Sequence, residues 1–219
     1  MEKKLIPFDK IIFMDPEDKQ YNIPKVSNKE KKSFYFDLKS KGFYNGCLKS
    51  IINYDLDKNV LKMFLARTNF FDLMLSRKIN QNLMPVLAVN AIIETEGQIV
   101  FIKRGEEVYE YCNCTDFPAG LVSCNEFIQE RLFNRINADT KLNESDLTIG
   151  ELIPCAIILD KASFNLFYKV KYKGSKKELE NFFSKNFESQ KPFLVKKDEI
   201  LTFFKEDNKP LFFEILNFI

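Results

Sequence analysis

There is no histidine among the 219 residues. That absence removes the Ser–His–Asp triad, the Cys–His pair and every imidazole metal ligand, so acid–base work falls to Asp, Glu, Lys, Tyr or Cys. Tryptophan is absent too, whereas phenylalanine occurs 23 times, which predicts a core filled by phenyl rings. No apolar run is long enough to span a bilayer, and Met1-Glu2-Lys3-Lys4 is not followed by a signal-type apolar region. An excess of one charge is also lacking: the net charge is +2, which predicts neither a committed nucleic-acid partner nor a membrane. Basic stripes with interleaved aromatics are missing as well, so nucleic acid is an unlikely partner. Cysteine is present, but as an odd five without framework spacing, which predicts reduced thiols in a cytoplasmic protein. Cys112-Asn113-Cys114 with Cys124 can be drawn as part of a zinc site, but no fourth ligand is in view and the spacing is not that of paired CxxC knuckles.

What is there is globular: 45% apolar and 29% charged residues, on a chain long enough for one large domain or two small ones. The most informative stretch is Asp116-Phe117-Pro118-Ala119-Gly120 and the twenty residues after it. Pro118 presets its own φ and extends Phe117, and Gly120 supplies the φ freedom of a tight turn. Ser123-Cys124-Asn125-Glu126 has the form of a capping box, and Ile128, Leu132 and Ile136 recur every four residues as a buried stripe. The spacing predicts a helix entered at Ser123, capped by Glu126 and ending near residues 138–140. A loop-to-helix junction of this kind aims backbone N–H groups outward and suits an anion.

Gly120, Glu126, then Asn134-Arg135-Ile136-Asn137-Ala138-Asp139-Thr140-Lys141-Leu142 resembles the signature of the Nudix hydrolase superfamily. The spacing agrees at Gly120, Glu126 and Asp139, and Ile136 and Leu142 hold the two apolar places. The chemistry departs from it. Asn134 stands for the signature arginine and Arg135 for its glutamate. Ala138 and Asp139 stand for the paired glutamates, and Lys141 for the second glycine. The resemblance implies an α/β fold, a Nudix-type α/β/α sandwich around a mixed sheet, covering residues 84–219. Residues 1–83 then form a small, mostly β segment packing on that domain. Around Tyr44-Asn45-Gly46 and Arg67-Thr68-Asn69-Phe70-Phe71-Asp72 it loosely resembles the segment preceding the box in nucleoside-diphosphate-sugar members.

The family's substrates are nucleoside diphosphates linked to another group, cleaved by water with Mg²⁺ or Mn²⁺ held by glutamates of the box helix. Carried over, this makes Asp139 and Glu126 the catalytic candidates, with Asp139 the metal ligand if there is one. Arg131, Arg135 and Asp139 are spaced by four and share one stripe of the helix. Together with Gly120 and Arg104 the arginines are candidates for holding a phosphate by bidentate hydrogen bonds. An equally weighted reading makes Arg135 and Asp139 a pair that closes a dead site. Two functions follow: recognition of a nucleoside-diphosphate-linked ligand with metal-dependent hydrolysis weakened or lost, or an active divergent hydrolase drawing carboxylates from outside the box. Glu106, Glu107, Glu110 and Glu151 are the donors open to the second. The partner is a small nucleotide-type molecule, and a homodimer is admissible.

The remaining pattern predicts strands or extended runs within 5–14, an exposed loop over 15–33 that includes Lys29-Glu30-Lys31-Lys32, and a short strand over 34–38. A hairpin follows over 46–65 around residues 55–59, then a capped helix over 68–75. Strands are expected over 86–94 and 98–103, then a polar loop over 104–115 with some order at Val108-Tyr109. A strand pair over 147–172, a helix over 176–186 started by Ser175, and helical stretches over 195–204 and 210–218 complete the chain.

Overall fold

The computed structural model describes residues 2–14, 20–21, 23–81, 83–105, 114–159, 162–188, 192–204 and 212–218. The architecture is mixed α/β, a large mixed sheet with several helices. Strands β1 (Lys3–Pro7) and β2 (Lys10–Met14) precede helix α1 (Asn28–Ser40), the hairpin β3 (Cys47–Asp57) and β4 (Val60–Asn69), and helix α2 (Phe70–Lys78). Then come β5 (Val86–Thr95), β6 (Gln98–Lys103), β7 (Thr115–Asp116), β8 (Ala119–Leu121) and helix α3 (Ile128–Thr140). Strands β9 (Leu147–Leu152), β10 (Cys155–Leu159) and β11 (Ser163–Tyr172) lead to helix α4 (Lys176–Asn186), β12 (Phe193–Lys196) and the short helix α5 (Ile200–Phe203). No helix among the described residues is long and apolar enough to cross a membrane.

Two compact units divide the chain, and neither is continuous in sequence. The first comprises Met1–Ala88, Leu121–Phe127 and Ala156–Asn165; the second Val89–Gly120, Ile128–Cys155 and Leu166–Ile219. In the first unit, β3 and β4 pair antiparallel around Lys58 and Asn59, both with left-handed φ (48° and 63°), so the hairpin turns on two residues rather than the five expected. Strand β2 runs parallel to β4. Phe34, Leu38, Phe71, Leu73, Met74 and Leu75 bury one apolar cluster of this unit, with Leu48 and Val86 of the strands.

The predicted strand over 34–38 and the loop before it are one helix, α1. Its start is a full capping box: Ser27 Oγ accepts from Glu30 N at 3.3 Å and Glu30 Oε2 accepts from Ser27 N at 3.0 Å. Phe34 and Leu38 are its buried residues, four apart as a helix requires. Asn69 caps α2 by accepting from Asp72 N at 2.8 Å. The buried Asp72 carboxylate also binds Gln20 Nε2, Lys31 Nζ and the Tyr35 hydroxyl, which locks the start of α2 to α1.

In the second unit, β5 and β6 form a tight hairpin whose turn carries positive φ at Glu96 and Gly97 (45° and 73°). Strand β6 pairs with β12 and β7, and β9 pairs with β11. The expectation of a helix over 195–204 fails at its start, because Leu194 and Val195 pair with Val100 and Ile99; only residues 200–203 are α-helical. Helix α4 begins as expected at the Ser175–Glu178 box. The phenyl-ring core is present: Phe101 packs on Phe117, Phe193 and Phe204 with centroids 5.2, 6.0 and 4.9 Å away.

Candidate functional site

Strand β6 runs out at Arg104, and pairing with β7 sets Ile102 opposite Asp116. This register brings Arg104 Nη1 to 3.0 Å from Asp116 Oδ2, while Asp116 Oδ1 accepts from Phe117 N at 2.8 Å. The Asp116 carboxylate is fully buried, and burial pushes its pKa up to about 6 against the pull of Arg104, with Asp139 raising it further. The chain then turns through Phe117 and Pro118, whose carbonyl accepts from Ala91 N at 2.8 Å, into β8.

Gly120 lies in β8, not in a turn, and its φ is not in the left-handed region. The expected reason for a glycine here is therefore replaced by another: space. A Cβ at this position would lie 2.6 Å from Arg135 Cδ, closer still to Arg135 Cγ, and 3.0 Å from Arg131 Nε. The bare backbone lets the two arginine stems lie against the strand.

Helix α3 carries Leu132, Ile136 and Thr140 buried, the stripe read from the sequence displaced by one turn. It begins at Ile128, five residues after the predicted entry. Ser123 instead bridges to Leu48, and Cys124 N donates to Cys47 O at 3.2 Å, so the S-x-x-E pattern is used in strand pairing and a turn. At the far end Lys141, in the place of the second signature glycine, takes φ 62°, the left-handed value that a glycine would supply at a helix C-terminus.

On the side of α3 that faces β8, Arg135 Nη2 donates to Asp139 Oδ1 and Arg135 Nε donates to Ala119 O at 2.9 Å. Asp139 Oδ2 accepts from Ala119 N at 3.3 Å. The pair thus clasps both polar groups of one β8 residue. Burial raises the Asp139 pKa, and the positive charges of Arg135, Arg104 and Arg131 oppose that shift. Five charged groups form one field: Arg104, Arg131, Arg135, Asp116 and Asp139.

Arg104, Gly120, Arg131, Arg135 and Asp139 all lie in the second unit, Gly120 against the Arg131 and Arg135 stems and Asp139 within the fields of the three arginines. Glu126 is not on α3; it lies in Leu121–Phe127 of the first unit, where its carbonyl accepts from Lys49 Nζ at 2.8 Å. Glu151 is exposed and pairs with Lys169 at 3.0 Å. Glu106, Glu107, Glu110, Cys112 and the Val108-Tyr109 order lie outside the described residues. Asp116 is a site residue that pattern does not mark; the one signal for it is its place directly before Phe-Pro, where a carboxylate has no capping task. The expectation of five reduced thiols is corrected: Cys47 and Cys124 form a disulfide, while Cys114 and Cys155 are free. The compartment read from thiol usage loses its basis with it.

Mg²⁺ or Mn²⁺ does not fit the residues of the box. The cation needs several oxygens, yet Arg135 occupies one carboxylate position, Ala138 another, and both oxygens of Asp139 are engaged. Among the described residues no group of three or more His, Cys, Asp or Glu could hold a metal.

Asp116 also sets a pH dependence. Its folded pKa, about 6, lies above its ordinary 3.8, so the folded state holds the proton more tightly. Its contribution is fully present below the unfolded value and is lost as pH rises through about 6. Urea titrations from pH 4 to 7 should show wild-type stability falling relative to Asp116→Asn over this window; parallel profiles would contradict it.

No protein-family model matches the chain. Over 66 residues it is 33% identical to an ADP-ribose pyrophosphatase of Methanocaldococcus jannaschii, spanning 30% of this chain and 38% of that relative. Among solved structures it is similar to a MutT protein from Methanosarcina mazei at 15% identity and a TM-score of 0.43, covering 60% of this chain and 89% of the other. An Ap4A hydrolase of C. elegans gives 12% identity and 0.41, covering 61% and 95%. A Nudix hydrolase from Nitrosomonas europaea gives 18% and 0.38, covering 52% and 59%. The chain spans less than two fifths of the curated relative's length, and at these identities and TM-scores the likeness says nothing of activity.

Proposed function

We propose that the chain recognises a nucleoside-diphosphate-linked ligand through guanidinium groups, with the metal-dependent hydrolysis of Nudix enzymes weakened or lost. One observation carries this reading: Asp139, the acidic residue kept at the metal positions of the box, is held by Arg135 and by Ala119 N. Carboxylate-anchored arginines are fixed in direction, and the guanidinium edges turned away from the carboxylates fit the paired oxygens of a diphosphate. A nucleoside diphosphate or its sugar conjugate should therefore raise the melting temperature in EDTA, with no added gain from Mg²⁺. Arg131→Ala should weaken that binding by about 1.5–3 kcal/mol, the range of charge-assisted hydrogen bonds.

A second reading, an active divergent hydrolase, has Asp116 in its favour. It is a carboxylate outside the box that interacts with Asp139. Brisk Mg²⁺-dependent turnover of a nucleotide sugar by the unmodified protein would establish this reading and remove the first.

A further inference from the structure

We propose that Cys47 and Cys124 form a thiol–disulfide exchange site that sets how firmly Leu121–Phe127 is held. Leu121 ends β8, and from Val122 to Phe127 the segment is neither helix nor regular strand before α3 begins at Ile128. Three backbone hydrogen bonds fasten it within the first unit: Lys49 N to Val122 O at 2.9 Å and Cys124 N to Cys47 O at 3.2 Å, the pair that sets Ser123 opposite Leu48, and Val122 N to Leu87 O at 2.8 Å. The Lys49 ammonium adds a bond to Glu126 O at 2.8 Å. The disulfide is the covalent link in this set, with Cα atoms 5.5 Å apart, inside the span that a bridge requires.

Accessibility and charge suit exchange. Both bonded cysteines are half-buried, so an incoming thiolate has a path, whereas the free Cys155 is fully buried. Lys49 stands two residues after Cys47 on β3, on the same face of the strand, and its positive charge favours a leaving Cys47 thiolate. A dithiol supplies the electrons. Its first thiolate attacks one protein sulfur, the S–S bond breaks, and the other sulfur leaves as a thiolate that takes up a proton. The second thiol then displaces the mixed disulfide. The dithiol becomes a disulfide, and two protein thiols are formed for two electrons and two protons.

Without the covalent link, a segment fastened by a few hydrogen bonds opens on its own. The test uses the full-length wild-type protein, purified in air. Alkylation in denaturant should leave Cys47 and Cys124 unlabelled before reduction with dithiothreitol and label both after it, and a digest should yield a cross-linked Cys47–Cys124 peptide. In the folded protein, reduction should speed hydrogen exchange of the Lys49, Val122 and Cys124 amides at least tenfold while the Ile51 and Leu65 amides hold. Cys47→Ser should match reduced wild type without any reductant. If that variant does not fold, reduced wild type gives the same readout. Labelling of Cys47 and Cys124 before reduction, unchanged exchange at the three amides, or uniform exchange at all amides would each overturn the proposal.

Discussion

Arg135→Ala is expected to destabilise the protein by about 2–3 kcal/mol, more than a surface ion pair can account for. Asp139 is 14% exposed and Arg135 33%, so the arginine is open enough to soften the loss and the aspartate closed enough to suffer it. Removing the guanidinium strips Asp139 of its main counter-charge and Ala119 O of its donor together. The carboxylate that remains has one backbone N–H and the weaker fields of Arg104 and Arg131. Its pKa, already raised, must climb further, so the loss should be larger at pH 8 than at pH 5. Gly120→Ala should reproduce much of this effect, because the new methyl group occupies the space of the Arg135 stem. A double-mutant cycle with Asp139→Ala isolates the pair. A coupling below about 0.5 kcal/mol would place Arg135 among surface residues and free it for a ligand in full.

The sequence exposes this clasp only in part. Helix periodicity sets Arg131, Arg135 and Asp139 on one stripe, and that much depends on 3.6 residues per turn alone. Ala119 as the third member depends on how α3 lies against β8, which local pattern does not encode. The three S-x-x-E patterns make the same point. Ser27–Glu30 and Ser175–Glu178 are true capping boxes, because nothing else competes for their backbone groups. Ser123–Glu126 has the same letters, but Leu48 and Cys47, some 75 positions earlier, take Ser123 and Cys124 first. Phe34 and Leu38 suit a strand as well as a helix, because a window of five residues cannot tell a period of two from one of four. Extending it to Ser27 and Glu30 settles the matter. Asp116 is the harder case: its burial depends on the pairing of β6 with β7, a contact across a loop.

Reduction of Cys47–Cys124 should produce the largest change of all. The bridge closes a loop of 77 residues, and removing such a constraint from the unfolded chain costs about 4 kcal/mol of stability by the chain-entropy argument. That is a large fraction of the 5–15 kcal/mol typical of a whole domain. The effect lives in the unfolded state, so the native fold of the reduced protein should keep its sheet, and its far-ultraviolet spectrum should match the oxidised form. Urea unfolding should separate the two forms by midpoint. The slope with denaturant should be steeper for the reduced protein, because its unfolded chain, freed of the cross-link, exposes more surface. The double variant Cys47→Ser with Cys124→Ser should track the reduced form and lose all response to dithiothreitol. Equal midpoints for oxidised and reduced wild type would show that the two sulfurs constrain nothing.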